Sequence, residues 1–314
     1  MAKVKRYKYR NTAMYLMLAP YMAFLIGFGL IPIVMAVFEV PQKSLTNQNG
    51  GWDAFKIVIH DFRFMPAARH VLGFMAIFVP LMLFFVLAMA LMLDLDAGKW
   101  KKYVRLAYIV PASISGAVAV LVWYVILQPT ISPIKMILRW LHITQAQQIW
   151  QTQNLVFILS LMAFFTAAGQ WILIQYGSLQ SVSHEIIEAA RVDGCNPFQL
   201  ALRIKLPLIS KYVVYMGVLV FAGGLQIFVE PQILNQSVYQ GIASAWSFDQ
   251  LSYELAFTTG DFGGASALSI LLLIPSLLGA LIVIFKTDMF DDATTLHRKK
   301  VKKHGKMKRA EALS

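Results

Sequence analysis

The chain of 314 residues is apolar and basic: 58% of its residues are hydrophobic, 14% are charged, and its formal net charge is +12. A soluble domain carries about 45–50% apolar and about 25% charged residues, so this composition excludes a water-soluble globular protein. The basic residues lie in loops and tails rather than in a groove interleaved with aromatic residues, which argues against a nucleic-acid partner. A single cysteine, Cys195, excludes an internal disulfide and a cysteine metal cluster.

Six apolar runs predict membrane-spanning helices, each near the roughly 20 residues that a hydrocarbon core requires. They cover residues 14–38, 71–93, 105–127, 155–176, 206–233 and 264–285. A cleaved signal peptide is the alternative for the first run, but that run exceeds the roughly 7–15 residues of a signal-peptide core and lacks a small-residue cleavage pattern. We therefore expect it to remain, in an all-α, polytopic membrane protein with about six transmembrane helices.

The distribution of Lys and Arg predicts the orientation. Of the 28 basic residues, 22 lie before the first run, after the second, around the segment between the fourth and fifth, or after the sixth. The positive-inside rule places these parts in the cytoplasm, together with both termini. We expect cytoplasmic basic tails at 1–13 and 286–314 around a transmembrane domain at 14–285. For the basic C-terminal tail, attraction to anionic membrane lipid is favoured over a contact with the ATPase.

A polar segment at 183–207 separates the fourth and fifth runs and predicts two short helices. Ser183 is a predicted N-cap, so the first helix should begin near it, and Glu185 and Glu188 suit the negative charge that a helix start favours. Gly194 supplies the left-handed residue that ends this helix. Ala189 and Ala190 between them have almost no side chain, so another protein could approach this helix closely.

The second helix of this segment has its own start signals. Asn196 is a predicted N-cap, Pro197 suits the first helical position, and Gln199 completes a capping box. Pro207 is expected to end this helix before the fifth run begins.

The spacing within 183–207 resembles the EAA loop of the integral membrane permeases of binding-protein-dependent ABC importers. The signature reads Glu-Ala-Ala from Glu188, glycine at 194, and Ile204, one spacer, Leu206 and Pro207. Ser183 stands where proline is usual, which leaves the motif intact. Residues 261–272, DFGGASALSILL, also resemble the family's entry to its last span. A connector that contains EAA by chance is the alternative.

This resemblance implies the type I permease fold of ABC importers and a coupling role for the loop, which inserts into a cleft of a cytoplasmic ATPase. The coupling residues would be Glu188, Ala189, Ala190, Asp193, Gly194, Ile204, Leu206 and Pro207. The implied partners are a second homologous permease, two ATP-binding cassette ATPases that bind ATP and Mg²⁺, and an extracytoplasmic substrate-binding protein, at the bacterial cytoplasmic membrane. No cofactor is expected on this chain.

Within the family the chain resembles the first subunit of maltose-type sugar permeases, because the Gly- and Lys-containing C-terminus usual in the partner branch is absent. The resemblance implies a sugar or oligosaccharide as cargo. Neutral oligosaccharides are favoured, followed by uronate-containing fragments and glycerol phosphates, since the fourth to sixth runs carry no Lys or Arg beyond Lys211 near the cytoplasmic end.

Polar and aromatic side chains within the fourth and fifth runs are candidates for the transport pathway. Polar groups are costly in hydrocarbon and tend to face a cavity, and amides, carboxylates and aromatic rings are the groups that bind sugars. Gln226 and Glu230, four residues apart, are predicted to share a helix face. Interhelical hydrogen bonding is the alternative role, and Gly223 and Gly224 predict close packing. The set is Gln170, Trp171, Gln226, Phe228 and Glu230.

Two external segments are also distinctive. Residues 133–141 have apolar residues at helical spacing and predict a short surface helix, more a lid than a binding element. The last external loop, 235–261, carries no Lys or Arg, and Asp249, Glu254 and Asp261 make it acidic. This loop could receive a substrate-binding protein.

Chemistry of its own is not evident in this chain. It contains no Walker A loop, HExxH motif or Gly-x-Ser-x-Gly elbow. We therefore expect a non-enzymatic permease subunit that alternates between outward and inward access, with ATP hydrolysed by a partner. The alternative is an ion-coupled secondary transporter acting alone, which would predict an inverted repeat and paired intramembrane acids.

Overall fold

A computed structural model describes residues 14–44, 47–95, 101–114, 116–237 and 243–286. The predicted tail 1–13 lies outside the described residues, as do Lys99 and all of the predicted tail 286–314 except Lys286. The helices are α1 Met14–Glu39, α2 Asp53–Ile59, α3 Phe64–Leu95, α4 Lys101–Ala112, α5 Gly116–Leu127, α6 Lys135–Trp140, α7 Ala146–Ile149, α8 Thr152–Gln180, α9 His184–Val192, α10 Pro197–Leu208, α11 Ser210–Leu225, α12 Val229–Ser237, α13 Phe248–Tyr253 and α14 Phe262–Lys286.

The all-α prediction is confirmed for the described residues. Five of the helices there are long and apolar enough to cross a membrane: α1, α3, α8, the segment Ser210–Ser237 and α14. The number becomes six when α4 and α5 are taken as one bent span. The chain is therefore a multi-pass membrane protein.

The third apolar run, 105–127, is not the single helix that we predicted. Its two halves turn by 106° between Ala112 and Gly116. Before the turn, the Ser113 hydroxyl donates to the carbonyl of Ile109 at 2.7 Å, and the Ser113 amide donates to the same carbonyl at 2.9 Å. Serine competes in this way with regular helix, and the glycine at 116 has low helix propensity, so the run breaks here.

The centre of the bundle is the pair α3 and α8, which pack along each other. Side chains four residues apart on one face of each helix are fully buried, as helical periodicity requires: Met82, Val86 and Ala90 on α3, and Leu155 and Leu159 on α8. Helices α11 and α14 add to this apolar core. In contrast, no residue of α1 is buried within the chain, although α1 contacts α14.

Glycine allows the closest approach at the contact between α1 and α14. A Cβ on Gly263 would lie 3.4 Å from the carbonyl oxygens of Glu39 and Val40. The predicted surface helix is present as α6, whose Leu138 is buried while Met136 and Trp140 are exposed.

Candidate coupling loop and transport cavity

The first helix of the 183–207 segment begins and ends as the sequence predicts. Helix α9 follows Ser183, which has extended backbone but makes no side-chain capping bond. At the other end Gly194 has φ +83°. The amide of Cys195 donates to the carbonyl of Ala190 at 3.0 Å and that of Gly194 to Arg191 at 3.1 Å, which is the Schellman arrangement.

The second helix begins at the predicted capping box. The Asn196 side chain accepts from the Gln199 amide at 2.8 Å, and the Asn196 amide donates to the Gln199 side chain at 3.1 Å. The second helix ends at Leu208, one residue after Pro207, and the next helix begins at Ser210, so the prediction that Pro207 ends it is confirmed to within a residue. Its middle, Leu200–Lys205, is π-helical, and the amide of Leu206 donates to the carbonyl of Ala201.

The eight predicted coupling residues do not share one surface. Exposed members are Glu188, Ala189, Asp193, Gly194 and Pro207, whereas Ile204 and Leu206 are half-buried. The expectation that Ala190 offers an open approach to another protein is wrong. Ala190 is buried against Ile187 and Leu200 in a small apolar cluster between α9 and α10, so the fold of the loop itself requires its small size.

Two apolar side chains on this loop are far more exposed than the signature residues suggested. Val192 is 87% exposed at the end of α9, and Phe198 is 66% exposed at the start of α10. They stand at the turn between the two helices, beside the exposed acid Asp193. The sequence did contain this signal, since both are large apolar residues in an otherwise polar hairpin.

A buried ion pair attaches the loop to the bundle. The Lys205 ammonium lies 2.6 Å from a carboxylate oxygen of Asp94, which is in the last turn of α3. The other carboxylate oxygen accepts from the side chain of Gln180 at 2.7 Å, at the end of α8. Sequence reasoning counted Lys205 only as a cytoplasmic charge and missed this contact.

A cavity of about 360 Å³ opens between α3, α5, α8 and α11–α12. It brings together four of the five predicted pathway residues: Trp171, Gln226, Phe228 and Glu230. Gln170 is exposed and does not line it. Instead Gln175, fully buried further along α8, donates to the Tyr212 carbonyl at 3.0 Å and so holds α8 to α11.

The fifth apolar run is interrupted at this cavity. Helix α11 ends at Leu225 and α12 begins at Val229, so the prediction that Gln226 and Glu230 share a continuous helix face is wrong. Pro231 was the available signal, since its ring excludes regular helical geometry at the carbonyl four residues earlier. Both side chains still reach the same cavity, because the unwound Gln226–Phe228 stretch forms its wall.

The two glycines before this break differ in role. A Cβ on Gly224 would lie 3.5 Å from Met75 and from Phe78, which confirms the predicted close packing there. Gly223 has open space beyond its Cα and lines the cavity, so the close packing predicted for it is wrong.

A second cavity of about 390 Å³ lies on the other side of the break, between α1, α13 and α14. Gln226 lines this cavity too, together with Asp249 and Ser269. Burial raises the pKa of Asp249 to about 6. The acid therefore faces an interior space, rather than the outer surface where we placed it.

The other two acids of the predicted external loop, 235–261, also have partners within the chain. Asp261 is 2% exposed and accepts from the Gly264 amide at 2.8 Å, where it caps α14. Glu254 lies 3.3 Å from the Arg63 guanidinium, which also holds Asp61 at 2.8 Å and lowers the pKa of that carboxyl. Asp261 and Glu254 therefore bind partners within the chain, so most of the acidic surface expected for docking does not form.

Comparison with known proteins shows what the chain is similar to. No protein-family model matches the chain. It is 27% identical over 273 residues to the probable ABC transporter permease protein YurN of Bacillus subtilis, covering 84% of this chain and 91% of that protein. It is 22% identical to the arabinooligosaccharides transport system permease protein AraP of Halalkalibacterium halodurans, covering 83% of both.

A solved structure agrees in fold. A chain of a bacterial ABC transporter involved in the import of the acidic polysaccharide alginate superposes with a TM-score of 0.71 at 19% identity, covering 91% of this chain and 98% of that one. Along most of its length the chain is similar to permeases of ABC importers. The resemblance drawn from the EAA spacing is confirmed, and with it the type I permease fold.

The relatives are transport permeases, and the 183–207 segment carries the EAA spacing described above. The first cavity lies in the half of the bundle away from that segment, at the break in the fifth run.

Proposed function

We propose that this permease forms half of the transmembrane pathway of an ATP-driven importer for a neutral sugar or oligosaccharide. The pathway passes the broken stretch Gln226–Phe228, and the 183–207 loop couples it to ATPases. One observation carries the proposal. The chain combines a folded EAA hairpin, held to the cytoplasmic ends of α3 and α8 by Asp94 and Lys205, with a polar and aromatic cavity further along the same helices.

The lining of the two cavities supports a hydroxylated cargo without negative charge. Trp171 and Phe228 offer rings for stacking on the apolar face of a sugar, and Gln226 offers both a donor and an acceptor. Glu230 and Asp249 are carboxylates, and none of the described lining residues is Lys or Arg. An anionic cargo would therefore require a cation from the second permease.

The names of related proteins support sugars as the cargo class. AraP of Halalkalibacterium halodurans is named for arabinooligosaccharides. A diacetylchitobiose permease of Streptomyces coelicolor is 26% identical over 291 residues. Uronate-containing fragments and glycerol phosphates rank below neutral oligosaccharides for this chain.

The proposed assembly contains a second homologous permease, two ATPases that bind ATP and Mg²⁺, and an extracytoplasmic substrate-binding protein. The apolar surface of α1 is not buried within the chain, which supports contact of this surface with the second permease or with lipid. We place the assembly in the bacterial cytoplasmic membrane with both termini in the cytoplasm, because that orientation puts 22 of 28 basic residues inside. The domain limits 1–13, 14–285 and 286–314 remain part of this proposal.

Affinity purification from the native membrane tests the assembly. The tagged wild-type chain should retain one other permease and two copies of an ATPase. Val192→Glu or Phe198→Glu should release the ATPases but keep the permease, because each puts a charge where an apolar contact is expected. Phe62→Glu is the control, since Phe62 is an exposed aromatic (84%, against 66% for Phe198) before α3, at the far end of that helix from the loop. A lone chain that transports sugar would contradict the proposal.

A further inference from the structure

Three separate segments meet at one carboxylate on the cytoplasmic side of the bundle. Asp94 in the last turn of α3 binds the ammonium of Lys205 from α10 at 2.6 Å and the side-chain amide of Gln180 from the end of α8 at 2.7 Å. The Asp94 side chain is 2% exposed and that of Lys205 is 10% exposed. We call these three residues the Asp94 joint.

Helix stability does not explain the position of Asp94. The C-terminal end of a helix carries partial negative charge, so a carboxylate in the last turn is disfavoured there. A buried charge is also costly unless it is paired and hydrogen-bonded. Asp94 therefore depends on Lys205 and Gln180, both of which lie in other segments of the chain.

The π-helical turn of the loop presents Lys205 to this site. Lys205 is the last residue of the π-helical stretch Leu200–Lys205, and Arg203 in the same stretch is exposed. A π turn inserts an additional residue and so rotates the residues after it relative to a regular helix; such turns are frequent at functional sites. The turn thus directs one of its two basic residues inward.

An apolar cluster lies along the same helices and completes the connection. Ala90 of α3, Leu179 of α8 and Ile209 after α10 are fully buried against one another. Ala90 and Leu179 lie close in sequence to Asp94 and Gln180, so packing and charge act between the same three segments. The loop, α3 and α8 are therefore attached to one another rather than linked only by the chain.

We propose that the Asp94 joint transmits movement of the coupling loop to α3 and α8, and so links ATP hydrolysis to opening of the cavity between those helices. The cavity is lined by Phe74, Phe78 and Met82 of α3 and by Ala163, Ala167 and Trp171 of α8. A displacement of Lys205 therefore acts on both walls through one carboxylate. Asp94, Gln180 and Lys205 are positioning residues that touch no cargo, and the inference rests on the proposed function.

The test compares variants that differ in charge and in stability. Lys205→Met leaves the Asp94 charge buried without its partner, whereas the double variant Asp94→Asn with Lys205→Met removes both charges. Arg203→Gln is the matched control, because it removes a basic residue from the same turn without touching the joint. Each is purified with its ATPases and binding protein and reconstituted into liposomes, where sugar taken up per ATP hydrolysed is measured.

The double variant decides the outcome. It should assemble and hydrolyse ATP, yet transport per ATP should fall at least tenfold and the binding protein should no longer stimulate hydrolysis. Arg203→Gln should match the wild type, and the charge reversal Asp94→Lys with Lys205→Asp should restore part of the ratio. Wild-type coupling in the double variant would overturn the proposal. A wild-type complex without ATP-driven uptake would instead contradict the proposed function.

Discussion

Gly169 of α8 and Tyr108 of α4 approach so closely that a Cβ on the glycine would overlap the tyrosine carbonyl oxygen. The same Cβ would lie 2.9 Å from the Cβ of Ala112. Backbone cannot yield as a flexible side chain can, so only glycine permits this helix contact. The first half of the bent third run is fixed against the bundle at this point.

We therefore expect Gly169→Ala to destabilise the purified permease. Overpacking of a well-packed contact typically costs about 1–3 kcal/mol, and a lower Tm in detergent is the measurement. Gly177→Ala on the same helix is the control, because a Cβ there meets nothing within 4 Å. Equal melting temperatures for the two variants would show that α4 does not pack against α8 in this way.

The turn of the coupling loop gives a second prediction. Gly194 has open space around it, but its φ of +83° is costly for other residues by roughly 1–2 kcal/mol. Gly194→Val should therefore distort the turn that presents Val192 and Phe198, and should reduce ATPase co-purification and uptake together. Gly194→Asn should retain most of both, since asparagine tolerates this conformation. Normal substrate-stimulated hydrolysis in the valine variant would refute the coupling role of the turn.

The raised pKa of Asp249 predicts a pH dependence of stability. Its pKa is about 6 in the folded protein and ordinarily 3.8, so the folded state binds this proton more tightly. Stability should therefore rise as pH falls from 7.5 through 6 to 5, and Asp249→Asn should flatten that dependence in Tm measurements. Asp61→Asn should leave it unchanged, because the pKa of Asp61 is below 3.8 and the group stays ionised throughout. An unaltered slope in Asp249→Asn would place Asp249 in water.

The cavity residues give the prediction closest to the cargo. Gln226→Leu and Glu230→Ala should each lower uptake about tenfold without loss of assembly, since a hydrogen bond to a charged group is worth about 1.5–3 kcal/mol and a neutral one less. Gln170→Leu is the control, because Gln170 is exposed outside the cavity. Unchanged uptake in both variants, with cargo bound elsewhere, would identify Gln226 and Glu230 as packing residues.

Local signals in the sequence predicted the local structure well. Gly194 ends its helix and the Asn196–Gln199 capping box forms, because these features depend on neighbours within five residues. Five membrane-spanning segments were also found, since apolar length alone defines them, but the bend in the third run and the break in the fifth were not. The EAA spacing identified the family for the same reason, as a pattern contained within twenty residues.

Contacts between distant segments were not predictable in this way. Nothing near Asp94 in the sequence points to Lys205, and the inward position of Ala190 depends on Leu200 across a turn. Glu254 was assigned to the surface because the sequence cannot show that Arg63 lies next to it. Asp261 could have been found as the cap of α14, because the Gly264 amide is only three residues away. The break at Gln226 could have been found, because Pro231 marks it.

Sugar uptake into liposomes that contain the purified permease complex tests ATP-driven import directly. With binding protein outside and ATP inside, a neutral oligosaccharide should accumulate, and ionophores that collapse ion gradients should leave uptake intact. Removal of ATP or of the ATPases should abolish it. Uptake by this chain alone, driven by an ion gradient and independent of ATP, would contradict the account.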